Sequence, residues 1–237
     1  GGIFKSAIEQ NAGIYSKTVY GGISHDWQIN EKFKHVLAVF STYTDFKNPF
    51  ITNYEERKEF TIGLRSYVEY QQRLTDANLK FNLGVESMQT STDFGNYANN
   101  SSVRGNLTVA DQLKARSNFA FAHFTADFFD KWLLELSGSA NFYGYGYESS
   151  FPVVVAKKNN NFNVQFVPRA ALSYLVDQRL SLRASVSKGY SPPTLSEVRA
   201  SDNVINVDLQ PEQGWNYETG LKYQTLNNIR AGICTLP

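Results

Sequence analysis

Hydrophobic and polar residues alternate with a period of two along much of the chain. The clearest example is segment 179–190, in which an apolar set interleaves with a polar set: Leu180, Leu182, Ala184 and Val186 against Ser181, Arg183, Ser185 and Ser187. Segments 79–86 and 215–223 repeat the pattern. A period of two places alternate side chains on opposite faces of a strand. The pattern therefore predicts β-strands with one apolar and one polar face.

Extended along the chain, this alternation predicts about ten strands, at 14–29, 33–46, 57–73, 78–90, 115–129, 132–147, 162–176, 179–190, 213–225 and 229–233. Short turns containing Asn or Asp are predicted at 30–32, 74–77, 130–131, 177–178 and 226–228. Asn and Asp suit tight turns because they tolerate left-handed backbone. The remaining connections are long and rich in Asn, Ser, Gly and Lys, at 47–56, 91–114, 148–161 and 191–212. Short and long connections alternate, so an up-and-down sheet places them at opposite ends.

Strand length and the unequal ends favour an all-β fold, an antiparallel up-and-down transmembrane β-barrel, over a soluble β-sandwich or solenoid. Transmembrane barrels have short periplasmic turns and long extracellular loops, and they satisfy every backbone polar group within the sheet. Aromatic residues cluster near the short turns, at Trp27, Phe33, Phe128, Phe129, Trp132, Tyr174 and Tyr223. A second set lies near the long connections, at Tyr43, Phe46, Phe60, Phe142, Tyr143, Tyr145, Tyr190, Trp215 and Tyr217. Two such belts are expected at the two membrane interfaces.

The composition argues against a nucleic-acid partner, a membrane-spanning helix and an internal disulfide. The formal net charge is +1, without the basic stripe that a nucleic-acid partner requires. No stretch approaches the roughly 18 apolar residues of a membrane helix. The single cysteine, Cys234, cannot form an internal disulfide. The chain starts at Gly1 without an initiator Met, which predicts a fragment of something longer.

Segment 187–198, SKGYSPPTLSEV, ends a strand pattern at two prolines, which cannot donate to a strand ladder. With the flanking segments 167–186 and 207–223 it resembles the TonB-dependent outer-membrane receptors. The resemblance rests on Pro168, Arg169, Gly189, Tyr190, Pro193, Thr194, Leu195, Glu197, Asp208, Leu209, Pro211, Glu212, Asn216, Tyr217, Glu218 and Gly220. We expect these residues to shape the barrel rim, with Leu195 and Val198 packed against it and Pro168 at a strand start or bulge. Segment 48–55, NPFITNYE, resembles a loop of the ferric-citrate receptors.

The resemblance implies a barrel of 22 strands that follows an N-terminal plug domain. Residues 1–237 then form a partial barrel with no plug domain, an open curved sheet with two unpaired edges. The implied function is active import of a ferric siderophore or similar iron chelate across the outer membrane of a Gram-negative bacterium. The implied partners are outer-membrane lipid, the TonB complex acting through the missing plug, and the ferric chelate; no cofactor is implied. Alternatives are TonB-dependent import of a glycan, a peptide or cobalamin, or a passive porin.

Ferric siderophores are often anionic, so cationic and aromatic residues of the long connections are candidate ligand contacts. The candidates are Arg104, Arg116, Lys157 and Lys158 for charge, and Tyr143, Tyr145 and Tyr147 for rings and hydroxyls. The competing interpretation places the tyrosines in an aromatic girdle and the lysines in solvated loops.

A barrel enzyme is the other functional class, and the sequence argues against it. His25 and Asp26 lie near a short turn, whereas a rim protease needs such a pair at the external end. His123 and Asp127 share a strand without an obvious nucleophile. The sequence also contains no Cys-x-x-Cys and no paired His, so we expect neither catalytic nor metal-binding residues.

Overall fold

The computed structural model describes residues 6–199, 204–224 and 230–235. The elements are, in chain order, β1 Tyr15–Gln28, β2 Phe33–Pro49, β3 Tyr54–Arg73, β4 Ala77–Asn100, β5 Val103–Phe128, β6 Trp132–Phe151, β7 Val155–Asn161, β8 Gln165–Leu175, β9 Leu180–Ser191, α1 Leu195–Val198, β10 Glu212–Gln224 and β11 Arg230–Thr235. Successive strands pair antiparallel in one sheet. β8 pairs with β6 at 132–141, and β7 pairs with β6 at 144–149. The fold is the predicted all-β, up-and-down antiparallel sheet.

The sheet is open along its described edges. The order of paired strands runs from β1 to β11, and no described residue of β1 pairs with β11. The open curved sheet expected from the sequence is therefore the observed arrangement. The turn predicted at 226–228 lies outside the described residues. Within the described part of the chain, no helix has both the length and the apolar character needed to span a membrane.

Strands extend much further at the end of the long connections than the sequence predicted. β4 has 24 residues and β5 has 26, and they meet at Ser101 and Ser102, whose φ angles of 54° and 67° form the tip. The predicted loop at 91–114 is therefore wrong, since the segment is a hairpin. Likewise, the connection predicted at 47–56 shrinks to residues 50–53, and 148–161 contains β7. Apolar residues in segment 91–114, such as Phe94, Val109 and Leu113, are too few and too scattered to give a continuous alternation.

The register defines two chemically different faces. One face carries apolar side chains with large exposed fractions, among them Phe60, Ile62, Leu64, Phe81, Leu83 and Val85. The opposite face carries ion pairs between neighbouring strands: Asp26 with Lys34 at 2.7 Å, Glu69 with Lys80 at 2.8 Å, and Glu135 with Arg183 at 2.5 Å. Residues 192–199 and 204–211 also fold over this polar face. We call residues 192–211 the motif loop, the face beneath it the inner face, and the apolar side the outer face.

Pro168 lies inside β8, opposite Gly138 of β6 in unbroken register. In the pairing of β8 with β6, the prediction of a strand start or a bulge at this proline is therefore wrong. Towards β9 the last paired residue of β8 is Arg169, opposite Ser187. Pro168 thus stands where the β8–β9 ladder has ended, and its missing N–H removes no hydrogen bond there.

Candidate functional site

The motif loop begins where β9 ends, at Ser191. Pro192 and Pro193 end the ladder as predicted, because neither offers a backbone N–H. Helix α1 follows at once and occupies four residues. After α1, Arg199 and Ile205 form an isolated antiparallel bridge that closes the described part of the loop on itself.

A capping box fixes the start of α1. The N-cap hydroxyl of Thr194 accepts a hydrogen bond from the Glu197 backbone N–H at 3.3 Å. In return the Glu197 carboxylate accepts from the Thr194 backbone N–H at 2.7 Å. This reciprocal arrangement satisfies two backbone donors at once. The backbone hydrogen bond from Thr194 lowers the pKa of Glu197, because it stabilises the charged form.

A small apolar core holds α1 against the inner face. Leu195 and Val198 contact Phe94 of β4, Leu113 of β5 and Tyr145 of β6. Leu113 and Val198 are buried almost completely, at 1% and 0% exposed. Leu195 and Val198, which we expected at the barrel rim, pack against residues of the inner face. The larger finding is that the loop folds inward, over the inner wall.

An ion pair between Arg199 and Asp111 of β5 also holds the motif loop against the inner face. The Arg199 Nε donates to Asp111 Oδ2, and the Arg199 guanidinium carbon lies 4.8 Å from the centre of the Phe94 ring. The Asp111 carboxylate also accepts from the Ser149 hydroxyl. Sequence reasoning missed both ends of this pair, because Asp111 fell in a predicted loop. The available signal was the position of Arg199, two residues after the Pro-Thr-Leu-x-Glu motif.

The three candidate tyrosines lie on the inner face of β6 and are strand residues. Tyr143 donates its hydroxyl to the Pro193 carbonyl at 2.6 Å. Tyr145 is 3% exposed, and its hydroxyl accepts from Asn160 Nδ2 at 3.1 Å. Tyr147 is half-buried and sits opposite Lys158 in the register. Tyr143 and Tyr145 therefore support the motif loop and the β7 edge through their hydroxyls, whereas the Tyr147 hydroxyl has no described hydrogen bond.

The four candidate cations are divided between the two faces. Lys158, opposite Tyr147, has inner-face parity, whereas its neighbour Lys157 has outer-face parity. Arg116 pairs with Gly144, which also lies on the outer face. Arg104 bonds to Glu56 at 2.9 Å and lies 4.8 Å from the centre of the Tyr97 ring, again on the outer face. The structure thus separates three of these charges from the inner face, on which the motif loop packs.

A cavity of about 450 Å³ remains between the motif loop and the inner wall. It is lined by Arg57, Glu59, Met88, Thr90, Ala115, Ser117, Tyr143 and residues 192–196. A second cavity of about 180 Å³ lies next to it and shares Arg57 and Glu59. Arg57 is ion-paired with Glu55 at 2.8 Å, and Glu59 accepts from Thr92 at 3.2 Å. The arrangement offers binding groups of both signs.

The other family-motif residues lie on β8, β9, β10 and the loop return. Arg169 has inner-face parity, Gly189 faces Gly214, and Tyr190 faces Gln213. Leu209 packs against the apolar core, and the Asp208 backbone N–H donates to Asn206 Oδ1 at 3.3 Å. Pro211 precedes β10, which begins at Glu212.

Alternate residues of β10 continue the polar inner face. Asn216 Nδ2 donates to Glu218 Oε1 at 2.5 Å, and both are on the inner face. Gly220 lies opposite Arg183, leaving room beside the Arg183–Glu135 pair. Tyr217 points to the outer face and is 58% exposed. The motif therefore combines a loop anchor with a strand that completes the polar wall.

This architecture is similar to that of known proteins. Residues 5–233 match the family described as "TonB dependent receptor-like, beta-barrel". The siderophore receptor PiuA from Acinetobacter baumannii superposes with a TM-score of 0.75 at 13% identity, over 95% of this chain and 40% of that one. For the unliganded ferric citrate transporter FecA the TM-score is 0.73 at 12% identity, over 89% and 32%.

The alcaligin receptor FauA from Bordetella pertussis gives a TM-score of 0.71 at 15% identity, over 94% of this chain and 37% of that one. The chain thus spans between about a third and two fifths of the length of these receptors. At the level of sequence, no curated protein is significantly similar to it.

Proposed function

Because the chain belongs to the TonB-dependent receptor β-barrel family, we propose that it forms part of the barrel wall of an active importer of ferric siderophores or similar iron chelates. Its family consists of receptors and transporters rather than enzymes, and its members are outer-membrane proteins of Gram-negative bacteria. The observation that carries the proposal is the family match over residues 5–233. The named cargoes of the three structural neighbours, a siderophore, ferric citrate and alcaligin, support the choice of substrate class.

We propose further that residues 1–237 are a partial barrel domain and that a plug lies elsewhere in the receptor. Two observations support this. The sheet has two edges that lack partners among the described residues, and the chain spans about 32–40% of its neighbours' lengths. Unpaired edges expose backbone donors and acceptors, so more strands are needed to close the wall in a membrane. The plug would connect the receptor to the TonB complex, and outer-membrane lipid would surround the barrel.

Under this proposal the short turns lie on the periplasmic side of the membrane. The motif loop and the long β4–β5 hairpin lie on the extracellular side. A chelate that enters from outside meets the inner face beside the motif loop. Tyr147 and Lys158, adjacent in the register of β6 and β7, are our candidates for direct ligand contact. Tyr143 and Tyr145 act indirectly, since they hold the loop and the β7 edge. The side chains of Arg104, Arg116 and Lys157 lie on the outer face, so we no longer propose that they contact a ligand in the lumen.

The test is uptake of ⁵⁵Fe-labelled chelates by iron-starved cells, with and without the gene for the complete receptor. Uptake that requires the receptor, TonB and the proton-motive force supports the proposal. Receptor-dependent uptake of cobalamin, peptides or glycans, without any iron chelate, would identify the alternative importer. Entry that persists after the proton-motive force has been dissipated would identify a passive porin.

The proposed contacts have their own test, which is chelate affinity in the purified receptor. Lys158→Gln should weaken binding of an anionic ferric chelate, because it removes an inner-face charge. Arg104→Gln, on the outer face, is the matched control and should leave that affinity unchanged. Equal affinity of wild type and Lys158→Gln would refute the assignment of Lys158 without affecting the uptake proposal.

A further inference from the structure

Glu59 of β3 is a half-buried carboxylate that lines both cavities beneath the motif loop. Its described hydrogen bond comes from the Thr92 hydroxyl at 3.2 Å. Within the described part of the chain, Glu59 forms no ion pair. A neutral hydroxyl does not balance a negative charge, so Glu59 presents an unbalanced carboxylate to any molecule that enters the cavity.

The other charged side chains around the two cavities already have partners. The Arg57 Nε lies 2.8 Å from Glu55 Oε1 in an ion pair that is not aligned as a hydrogen bond, and the Arg57 guanidinium carbon lies 4.1 Å from the centre of the Phe46 ring. Arg199 forms the buried ion pair described above. Among the described lining residues, Glu59 is therefore the charge that still lacks an opposite charge. Electrostatic complementarity favours a cation as the occupant.

The lining of the larger cavity suits a slender arm that carries such a cation. The volume of about 450 Å³ lies within the roughly 300–1,000 Å³ that is usual for small-molecule pockets. Met88, Ala115 and the two prolines provide apolar surface, and Thr90, Ser117 and Ser196 provide hydroxyls. An alkylammonium chain matches this combination, because its methylene groups pack on apolar surface while its three N–H donors need oxygen acceptors.

Glu59 and Lys158 lie in the same row of the inner face, at opposite ends of it. The register leads from Glu59 through Thr92, Leu113 and Tyr147 to Lys158. Four strand spacings of about 4.8 Å place the two charges roughly 19 Å apart along the sheet. Leu113, between them, is covered by the apolar core of α1. The two charges therefore act on different parts of a cargo, and the effect of one can be measured separately from that of the other.

We propose that the larger cavity takes the ammonium-bearing arm of a ferric chelate, with the Glu59 carboxylate as the acceptor for the ammonium group. A hydrogen bond between two charged groups is about twice as strong as a neutral one. An uncharged arm in the same place would leave the carboxylate desolvated and without a counter-charge, so the site discriminates against it. The inference rests on the proposed function and narrows its substrate class to iron chelates that carry a primary amine.

The test is the affinity of the complete purified receptor for two ferric chelates that differ in one group. The first is the iron complex of a linear trihydroxamate with a terminal primary amine, and the second is the same complex with the amine acetylated. At neutral pH the first arm is positively charged and the second is not. We expect the wild type to bind the amine form about tenfold more tightly.

Glu59→Gln should lose this preference, because it removes the charge and keeps an oxygen that can accept from Thr92. Its affinity for the acetylated form should equal that of the wild type, which also shows that the variant is folded. Asp93→Asn is the matched control, since Asp93 follows Thr92 in β4 but lies on the outer face, where it accepts from Gln112. This variant should keep the tenfold preference, about the same as the wild type.

Equal affinity of the wild type for the two chelates would overturn the inference, and so would an unchanged preference in Glu59→Gln. Failure of the receptor to bind either form would overturn it as well, since amine-bearing chelates would then not be the cargo. The ⁵⁵Fe uptake experiment distinguishes these results from failure of the proposed function. Receptor-dependent uptake of a different iron chelate would leave the importer proposal intact, whereas the absence of any receptor-dependent iron uptake would refute it.

Discussion

Arg199, the residue after α1, forms an ion pair with Asp111 of β5 in which the side chains are 2% and 3% exposed. The two residues are 88 positions apart in the chain. Removing one partner of a buried pair costs about 3–5 kcal/mol, because the remaining charge has lost its compensation. The pair therefore fixes the motif loop to the inner wall far more firmly than an exposed ion pair would.

Asp111→Asn should release the motif loop while the sheet stays folded. Limited proteolysis of the complete receptor within residues 192–211 measures this, and we expect faster cleavage in the variant. Asp93→Asn is the control, since Asp93 pairs with Gln112 on the outer face. Cleavage at the wild-type rate in Asp111→Asn would show that the apolar contacts of α1 suffice without the charge pair.

Tyr143→Phe should loosen the loop by a smaller amount. It removes the hydroxyl that donates to the Pro193 carbonyl at 2.6 Å and leaves the ring in place. A hydrogen bond of this kind contributes about 1 kcal/mol, or roughly a fivefold change in the opening equilibrium. Hydrogen exchange at residues 194–199 measures the change. Tyr147→Phe, whose hydroxyl has no described hydrogen bond, should leave exchange there unaltered; equal effects of the two variants would contradict the assignment.

The capping box makes the start of α1 sensitive to acid. The folded-state pKa of Glu197 is lowered by the Thr194 backbone hydrogen bond. A lowered pKa means that the contribution is present above the unfolded-state pKa and is lost as pH falls through the folded-state value. A spin label at the exposed Ser196 should therefore gain mobility as the pH falls below the ordinary titration range of a glutamate. In Glu197→Gln the mobility should not change with pH, and an identical titration there would attribute the transition to another group.

Gly84 is a close-contact position in the middle of the sheet. A Cβ there would lie 2.4 Å from the Cβ of Tyr67 and 2.8 Å from the ring of Phe121. Gly84→Val should therefore destabilise the receptor by about 1–3 kcal/mol, the usual cost of overpacking. The measurement is the temperature above which the receptor no longer migrates as a compact folded species in gel electrophoresis. Gly21→Val is the control, since nothing lies within 4 Å of a Cβ at Gly21.

The sequence predicted the strands accurately wherever one face is apolar. In β9 and β10 the contrast between faces is complete, and the predicted bounds lie within one or two residues of the observed ones. It failed along 91–114, because under the proposed function this hairpin stands beyond the membrane and needs no apolar outer face. Backbone pairing and the inner-face contacts of Phe94, Val109 and Leu113 hold the region, and these apolar residues are too few to give a continuous alternation.

The candidate site was only partly predictable for a related reason. Lys157 and Lys158 are adjacent in a strand, so one must face inward and the other outward, but the sequence does not say which. Tyr143, Tyr145 and Tyr147 alternate with Gly144 and Gly146, a pattern that fits either face. The register with β5 and β7 decides both questions. Contacts such as Arg199 with Asp111 depend on how a loop folds back, which no local pattern encodes.

Under the proposed function, the length of β5 affects how the receptor would meet its cargo. About ten of its 26 residues would suffice to cross the lipid, so most of this strand would stand outside as continuous sheet. An entrance walled by hydrogen-bonded strands, with a loop already anchored on its inner side, keeps its shape before anything arrives. The conformational entropy of this wall has been lost on folding, so a cargo that docks there orders little further chain. We therefore expect the cargo to bind at a preformed entrance, with little closure of flexible loops around it.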